Sequence, residues 1–231
     1  MEHGTQVDSG VSRFGARSWV GVLCLLVMLL SSFSSSLQAG DPEKFMAAIE
    51  KQGAAMAAMS SAEQLYQSCI YCHGKDGNAG SSFYPRLAGQ PAGYLKQQLH
   101  AYRDGQRQNT IMSSIARILS PEEIAVLADY LSAQTPSGND ATSNTSNTSG
   151  KALEQGRVKV AQLACASCHG PDYQGQADYP RLAGQGYDYL QAQLTSLRDG
   201  QRRDAQGVMA ALAQGLSDAD IENISRYLSE L

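Results

Sequence analysis

The pentapeptide Cys69-Ile70-Tyr71-Cys72-His73 reads C-x-x-C-H, and Cys165-Ala166-Ser167-Cys168-His169 repeats the pattern. It is the attachment signature of c-type haem. On a helix, cysteines three residues apart share a face, so both thiols can form thioethers with the two vinyl groups of one haem. The adjoining histidine then brings its imidazole under the iron as the proximal ligand. Cys69, Cys72 and His73 are thus expected to hold one haem c, and Cys165, Cys168 and His169 a second. Two copies in matching contexts separate this reading from a redox dithiol that happens to precede a histidine. A chain committed to two covalent cofactors must build two small cores around them.

Of the five cysteines in 231 residues, four lie in these motifs. The fifth, Cys24, falls in a stretch that reads as a secretory signal at 1–39. Arg13 and Arg17 form its positive end, Trp19 to Leu30 its apolar run, and Leu37-Gln38-Ala39 a small-residue cleavage site. The rival is an uncleaved membrane anchor, but the run falls short of the roughly 20 apolar residues that span a bilayer. A lipoprotein reading needs a cysteine at the cleavage site, and Cys24 sits mid-run. Once the signal is cut, no thiol is left for a structural disulfide, and covalent haem takes the stapling role.

A second repetition follows each motif. Tyr84-Pro85-Arg86-Leu87-Ala88-Gly89-Gln90 recurs letter for letter as Tyr179-Pro180-Arg181-Leu182-Ala183-Gly184-Gln185. Tyr94-Leu95 and Gln98-Leu99 recur as Tyr189-Leu190 and Gln193-Leu194, and the Arg103 to Arg107 run recurs at Arg198 to Arg202. The offset is a constant 95 residues from Pro85 to Arg107, so the chain contains an internal duplication. Each copy is expected to run as a helix with the haem motif, a loop, a short helix, a loop and a final helix. Ser120-Pro121-Glu122-Glu123 and Ser217-Asp218-Ala219-Asp220 mark the start of that last helix. Its buried stripe is Ile124, Leu127 and Leu131 in one copy and Ile221, Ile224 and Leu228 in the other.

Between the copies, residues 136–150 read PSGNDATSNTSNTSG, a polar small-residue run that behaves as a flexible linker. The expected organisation is a signal peptide at 1–39, a first domain at 40–135, a linker at 136–150 and a second domain at 151–231. The first domain includes an alanine-rich helical extension at 41–59. Ser61, with Gln64 three residues on, reads as the N-cap of the helix that leads to the first motif.

An iron that carries electrons without binding small molecules needs a sixth ligand, and a soft thioether favours the ferrous state. Met209 is the sole methionine of the second domain, and register carries the same role to Met112 in the first. Pro85 and Pro180 are placed to offer a carbonyl to the ring N–H of His73 and His169. Arg86 and Arg181 are candidates to pair with haem propionates. Tyr84, Tyr179, Tyr94 and Tyr189 suit the haem edge and core packing equally, and His100, which has no partner in the repeat, reads as a surface helix residue.

These motifs, the duplicated YPRLAGQ, the Y-L-x-x-Q-L and R-D-G-Q-R runs and the methionines ahead of Leu-Ser resemble the dihaem cytochrome c4 family over nearly all of residues 60–231. The resemblance implies an all-α fold: two tandem cytochrome c-like domains, each wrapped round one covalent haem, facing each other about a pseudo-twofold axis with propionates near the interface. It implies a one-electron carrier of a periplasmic respiratory chain, since c-type haem is attached outside the cytoplasm in bacteria. The implied donor is a protein such as a quinol–cytochrome c reductase and the acceptor a terminal oxidase or reductase, with association at a membrane surface. The extension at 41–59 and the long linker are not part of that pattern. The net charge of −4 and the lack of a basic block exclude a nucleic-acid partner. Two rivals use the same cofactors. A dihaem enzyme of the peroxidase or thiosulfate-oxidising type needs one open iron, which paired methionines oppose. An electron-accepting cytochrome subunit of a dehydrogenase differs only in having a fixed partner.

Overall fold

A computed structural model describes residues 42–137 and 150–231; the signal peptide and most of the linker expected from the sequence lie outside them. The described chain falls into two compact units, one ending at Ala54 and one running from Ala55 to Leu231. Among the described residues the regular structure is helical, with a single isolated β-bridge between Gln176 and Tyr179.

Helix α1 spans Pro42–Tyr66. It passes Ser60 and Ser61 without a break, so Ser61 is not an N-cap. Alanine-rich flanks favour helix strongly enough that two serines, each costing a few tenths of a kcal/mol, do not interrupt it. The helix ends at Tyr66, where bonds from Gln67 to Gln64 and from Cys69 to Tyr66 tighten the chain. The haem motif then forms its own turn, α2 (Ile70–His73), rather than the end of the preceding helix. After it come α3 (Ala92–Arg103), α4 (Thr110–Ile118) and α5 (Pro121–Ser132). The second copy repeats the order as α6 (Gly150–Gln162), α7 (Ala166–His169), α8 (Tyr187–Arg198), α9 (Val208–Ala213) and α10 (Asp218–Ser229).

Both final helices begin with the expected capping boxes. Ser120 accepts from Glu123 N while Glu123 accepts from Ser120 N, and Ser217 and Asp220 repeat the exchange. The predicted stripes are buried. Leu127 and Leu131 join Tyr66 and Leu95 in the first core, and Ile221, Ile224 and Leu228 join Val160, Leu190 and Leu197 in the second. In each copy the Leu-Ala step of the repeated loop is pinned to the chain after the motif. Leu87 and Ala88 donate to Gly77 O, and Leu182 and Ala183 to Tyr173 O. The following glycines, 89 and 184, donate to Leu131 O and Leu228 O of the last helices.

The two copies meet through reciprocal bonds. Arg86 N donates to Gln185 Oε1 at 2.7 Å and Gln185 Nε2 to Arg86 O at 3.0 Å. The mirror pair, Arg181 N to Gln90 Oε1 and Gln90 Nε2 to Arg181 O, measures 2.9 Å in both bonds. Arg107 donates to Gln98, Tyr189 and Gln193, and Arg202 to Gln193, Tyr94 and Gln98. Tyr94 and Tyr189 therefore serve this contact between copies. At its edge the Tyr189 N–H donates to Ser82 O and Ser82 Oγ meets Asp188. A Cβ at Gly186 would strike the Ser82 backbone there, so the close approach requires glycine.

Candidate functional site

Each motif is shaped by its own turn. His73 N donates to Cys69 O, and His169 N to Cys165 O, both at 3.0 Å. This curls the two thiols and the imidazole of each motif toward one side. Gly74, at φ 79°, and Gly170, at φ 86°, end the turns in the left-handed region. A side chain at position 74 would run into Asn78 O, so the chain folds back tightly just past the histidine. The four motif cysteines are half-buried and form no disulfide. Burial pushes the Cys69 and Cys165 thiols up, which keeps them protonated in the chain without cofactor.

Both histidines are buried, His73 at 6% and His169 at 4% exposure. Burial holds both below the usual histidine range, and the bond each makes to a proline carbonyl offsets this only in part. His73 Nδ1 lies 2.9 Å from Pro85 O and His169 Nδ1 lies 2.8 Å from Pro180 O. A carbonyl only accepts, so Nδ1 carries the proton and a neutral ring keeps its Nε2 lone pair for a metal. The same proline carbonyls point each ring along a fixed direction. Tyr84 and Tyr179 stand edge-on to these imidazoles, with centroids 6.4 Å and 6.3 Å away.

Met112 is the third residue of α4 and Met209 the second of α9, both half-buried. Helices around these methionines were not expected, and their cause is local. Asn109 caps α4 by accepting from Ile111 N and Met112 N, and Asp204 accepts from Met209 N and Ala210 N. Met209 also packs on the core of the second copy.

Arg86 and Arg181 line one small cavity together with Asn78, Gln90 and Gln185. Arg86 Nη1 is buried there without a hydrogen-bond partner. Arg181 is held below the usual arginine range, by burial first and then by the Arg86 charge. Two like charges and an orphaned donor fit a carboxylate, which is the chemistry of a haem propionate. His100 is half-buried in α3, away from both motifs in sequence. The residues that sequence reasoning missed are the polar ones between the copies, Gln90, Gln98, Arg107 and their repeats, together with the caps Asn109 and Asp204. For the glutamines and arginines the signal lay in the duplication itself, because polar positions that recur letter for letter are not needed by either hydrophobic core; the two caps differ between the copies and gave no such signal. Among the described residues no helix is long and apolar enough to cross a membrane.

The cytochrome c family model matches residues 59–135 and 153–231, one match on each copy. A thiosulfate dehydrogenase electron acceptor from Thiomonas intermedia is 37% identical over 182 residues, covering 76% of this chain and 84% of that protein. A cytochrome c4 from Pseudomonas aeruginosa is 35% identical over 167 residues, covering 71% of this chain and 83% of the relative. The crystal structure of reduced recombinant cytochrome c4 from Pseudomonas stutzeri matches with a TM-score of 0.66 at 29% identity, over 74% of this chain and 97% of that one. The chain thus carries two covalent haem c groups and works as a dihaem electron carrier between redox partner proteins. With two haem-binding repeats of one helical plan, matched along both halves, it belongs to the dihaem cytochrome c4 family.

Proposed function

We propose that each iron is held between a histidine and a methionine, His73 with Met112 and His169 with Met209, and that both sites exchange single electrons without opening a coordination position. The observation that carries this reading is the pair of matched imidazoles, each with its Nδ1–H on a proline carbonyl and its Nε2 free. The cofactor supplies the one-electron iron couple, and the residues of the chain set its surroundings. Cys69 and Cys72, and Cys165 and Cys168, anchor the two rings through thioethers. Pro85 and Pro180 hold the imidazoles against rotation and raise their basicity. Arg86 and Arg181 offset propionate charge; the orphaned Arg86 Nη1 supports this role. The matching domain limits are about 40–135 and 151–231, joined by the linker at 136–150.

The site of action is the periplasm, after export directed by residues 1–39, with donors and acceptors drawn from a respiratory chain at the membrane surface. The relative named for accepting electrons from thiosulfate dehydrogenase supports a second reading of the donor, a dehydrogenase as a fixed partner. An optical redox titration of the haem-loaded protein tests the ligation. Two low-spin haems, each with the weak red band of a ferric iron–methionine bond and neither binding carbon monoxide, are the expected result. One high-spin or ligand-binding haem would move the protein to the dihaem enzymes. Co-purification from the native membrane separates a freely diffusing carrier from a dehydrogenase subunit.

A further inference from the structure

The two copies provide an internal comparison at the head of the methionine-bearing helices. In the first, Asn109 is the N-cap of α4, and its Oδ1 accepts from Ile111 N at 3.1 Å and Met112 N at 3.0 Å. Arg107 and Met112 are five residues apart, whereas Arg202 and Met209 are seven apart. The N-cap position of α9 is Gly207, at φ 71°, with no side-chain cap. Asp204 reaches forward in its place. Its Oδ2 accepts from Met209 N at 3.2 Å and its Oδ1 from Ala210 N at 3.0 Å. Asn109 and Asp204 each lie two residues beyond the repeated arginine, so they are counterparts. Both accept from two backbone N–H groups, one of them the methionine's own, and Asp204 brings a negative charge that Asn109 lacks. Asp204 is half-buried, and no lysine or arginine pairs with it among the ion pairs of the described residues.

We infer that Asp204 tunes the second haem, holding its potential lower than a neutral cap such as Asn109 would. The inference rests on the Met209 ligation proposed above. A fixed negative charge bonded to the backbone of the sixth ligand favours ferric over ferrous iron. In a half-buried position, solvent screens that preference only in part. The two helix N–H groups do not cancel it, since the same number of donors serves the uncharged Asn109. Asp204 thus positions Met209 and biases its iron in one contact, and it makes the two haems electrically unequal where the fold makes them alike.

The test is a redox titration of the haem-loaded protein carrying Asp204→Asn, with the red iron–methionine bands recorded on the same samples. One of the two potentials is expected to rise while the other stays and both bands persist. The expected size is about tenfold in the ferrous-to-ferric ratio of that haem at a fixed applied potential, which for a one-electron couple is about 59 mV. The reciprocal Asn109→Asp should lower the other potential. Both bands kept with neither potential moved by Asp204→Asn overturns the inference and leaves the ligation standing. A red band missing from the unaltered protein overturns the ligation instead. Should Asp204→Asn itself cost a band, Asn109→Asp decides: band kept with the potential unmoved or raised rejects the tuning role, and band kept with the potential lowered supports it.

Discussion

A histidine that holds iron must be neutral, oriented and kept from turning; in this chain burial supplies the first need and one backbone carbonyl the other two. The Pro85 and Pro180 oxygens define which nitrogen bears the proton, and burial keeps the rings uncharged. Under the proposed ligation, the methionine would be the main lever on potential. Met209→Ala should abolish one red band, open that iron to carbon monoxide and lower its potential by tenths of a volt, within the roughly 0.8 V that axial ligands cover. The other haem should be unaffected. An unchanged spectrum and potential would place the sixth ligand elsewhere. The haem-attachment motifs were legible because their chemistry imposes fixed spacing, with thiols and imidazole contiguous; Met209 stands as the candidate sixth ligand because its copy has no other methionine. Asp204 was not legible. It lies five residues from the methionine it caps, behind a two-residue insertion that breaks the register of the repeat.

Helix ends carried strong signals where a reciprocal capping box marks them and weak ones where a single side chain or the backbone alone serves. The capping boxes of α5 and α10 stood in the sequence as drawn, whereas the end of α1 at Tyr66 had no marker, being made by backbone bonds. The crossing of α6 and α10 depends on Gly156, where a Cβ would meet Asn223 O and Tyr227 Cβ. Gly156→Ala should force these helices apart and cost about 1–3 kcal/mol, read as a lower midpoint in denaturant unfolding followed at the second haem. The α10 cap also has a pH dependence. Lys159 chiefly, and Ser217 with it, hold the Asp220 carboxyl below the ordinary aspartate range. Because its folded value is the lower one, its contribution is complete above the unfolded value and is lost as pH falls through the folded one. The pair is only partly exposed, Lys159 at 31% and Asp220 at 22%, and solvent still screens it enough to keep its worth at about 1 kcal/mol. Asp220→Asn should therefore lower unfolding stability slightly at neutral pH, with the gap from the parent closing as pH drops below about 4; a gap independent of pH would assign the loss to cap geometry alone.

At the scale of the molecule, the duplication and the contact between copies are one fact. An interface about a twofold must be self-complementary, so each bond that one copy makes to the other is returned by the counterpart residues. Gln90 with Arg181 and Gln185 with Arg86 obey this rule, as do Arg107 and Arg202 around Gln98 and Gln193. That is why identity between the copies gathers in polar loops, a pattern visible in the sequence whose meaning needed the pairing. The centre is electrostatically tense. Burial would raise the Tyr189 hydroxyl, but Arg107 and Arg202 outweigh it and hold that group below the ordinary tyrosine range, while burial pushes Tyr102 up to about 12. Gln98 and Gln193 each accept from both guanidinium groups, so removing one leaves these oxygens bonded to the other, whereas removing both leaves them without an arginine donor, at about 1–3 kcal/mol for each buried group left unpaired. The linker, by contrast, contains no cysteine, histidine or methionine. A protease site placed within 138–149 should, after cleavage, leave two haem fragments that elute together with unchanged spectra. The same cleavage in Arg107→Ala/Arg202→Ala should release two separate fragments, each with its haem and its red band. If the parent fragments part as readily, the linker and not these bonds keeps the copies together; if the variant loses a haem band, the arginines act on the haem site rather than on docking alone.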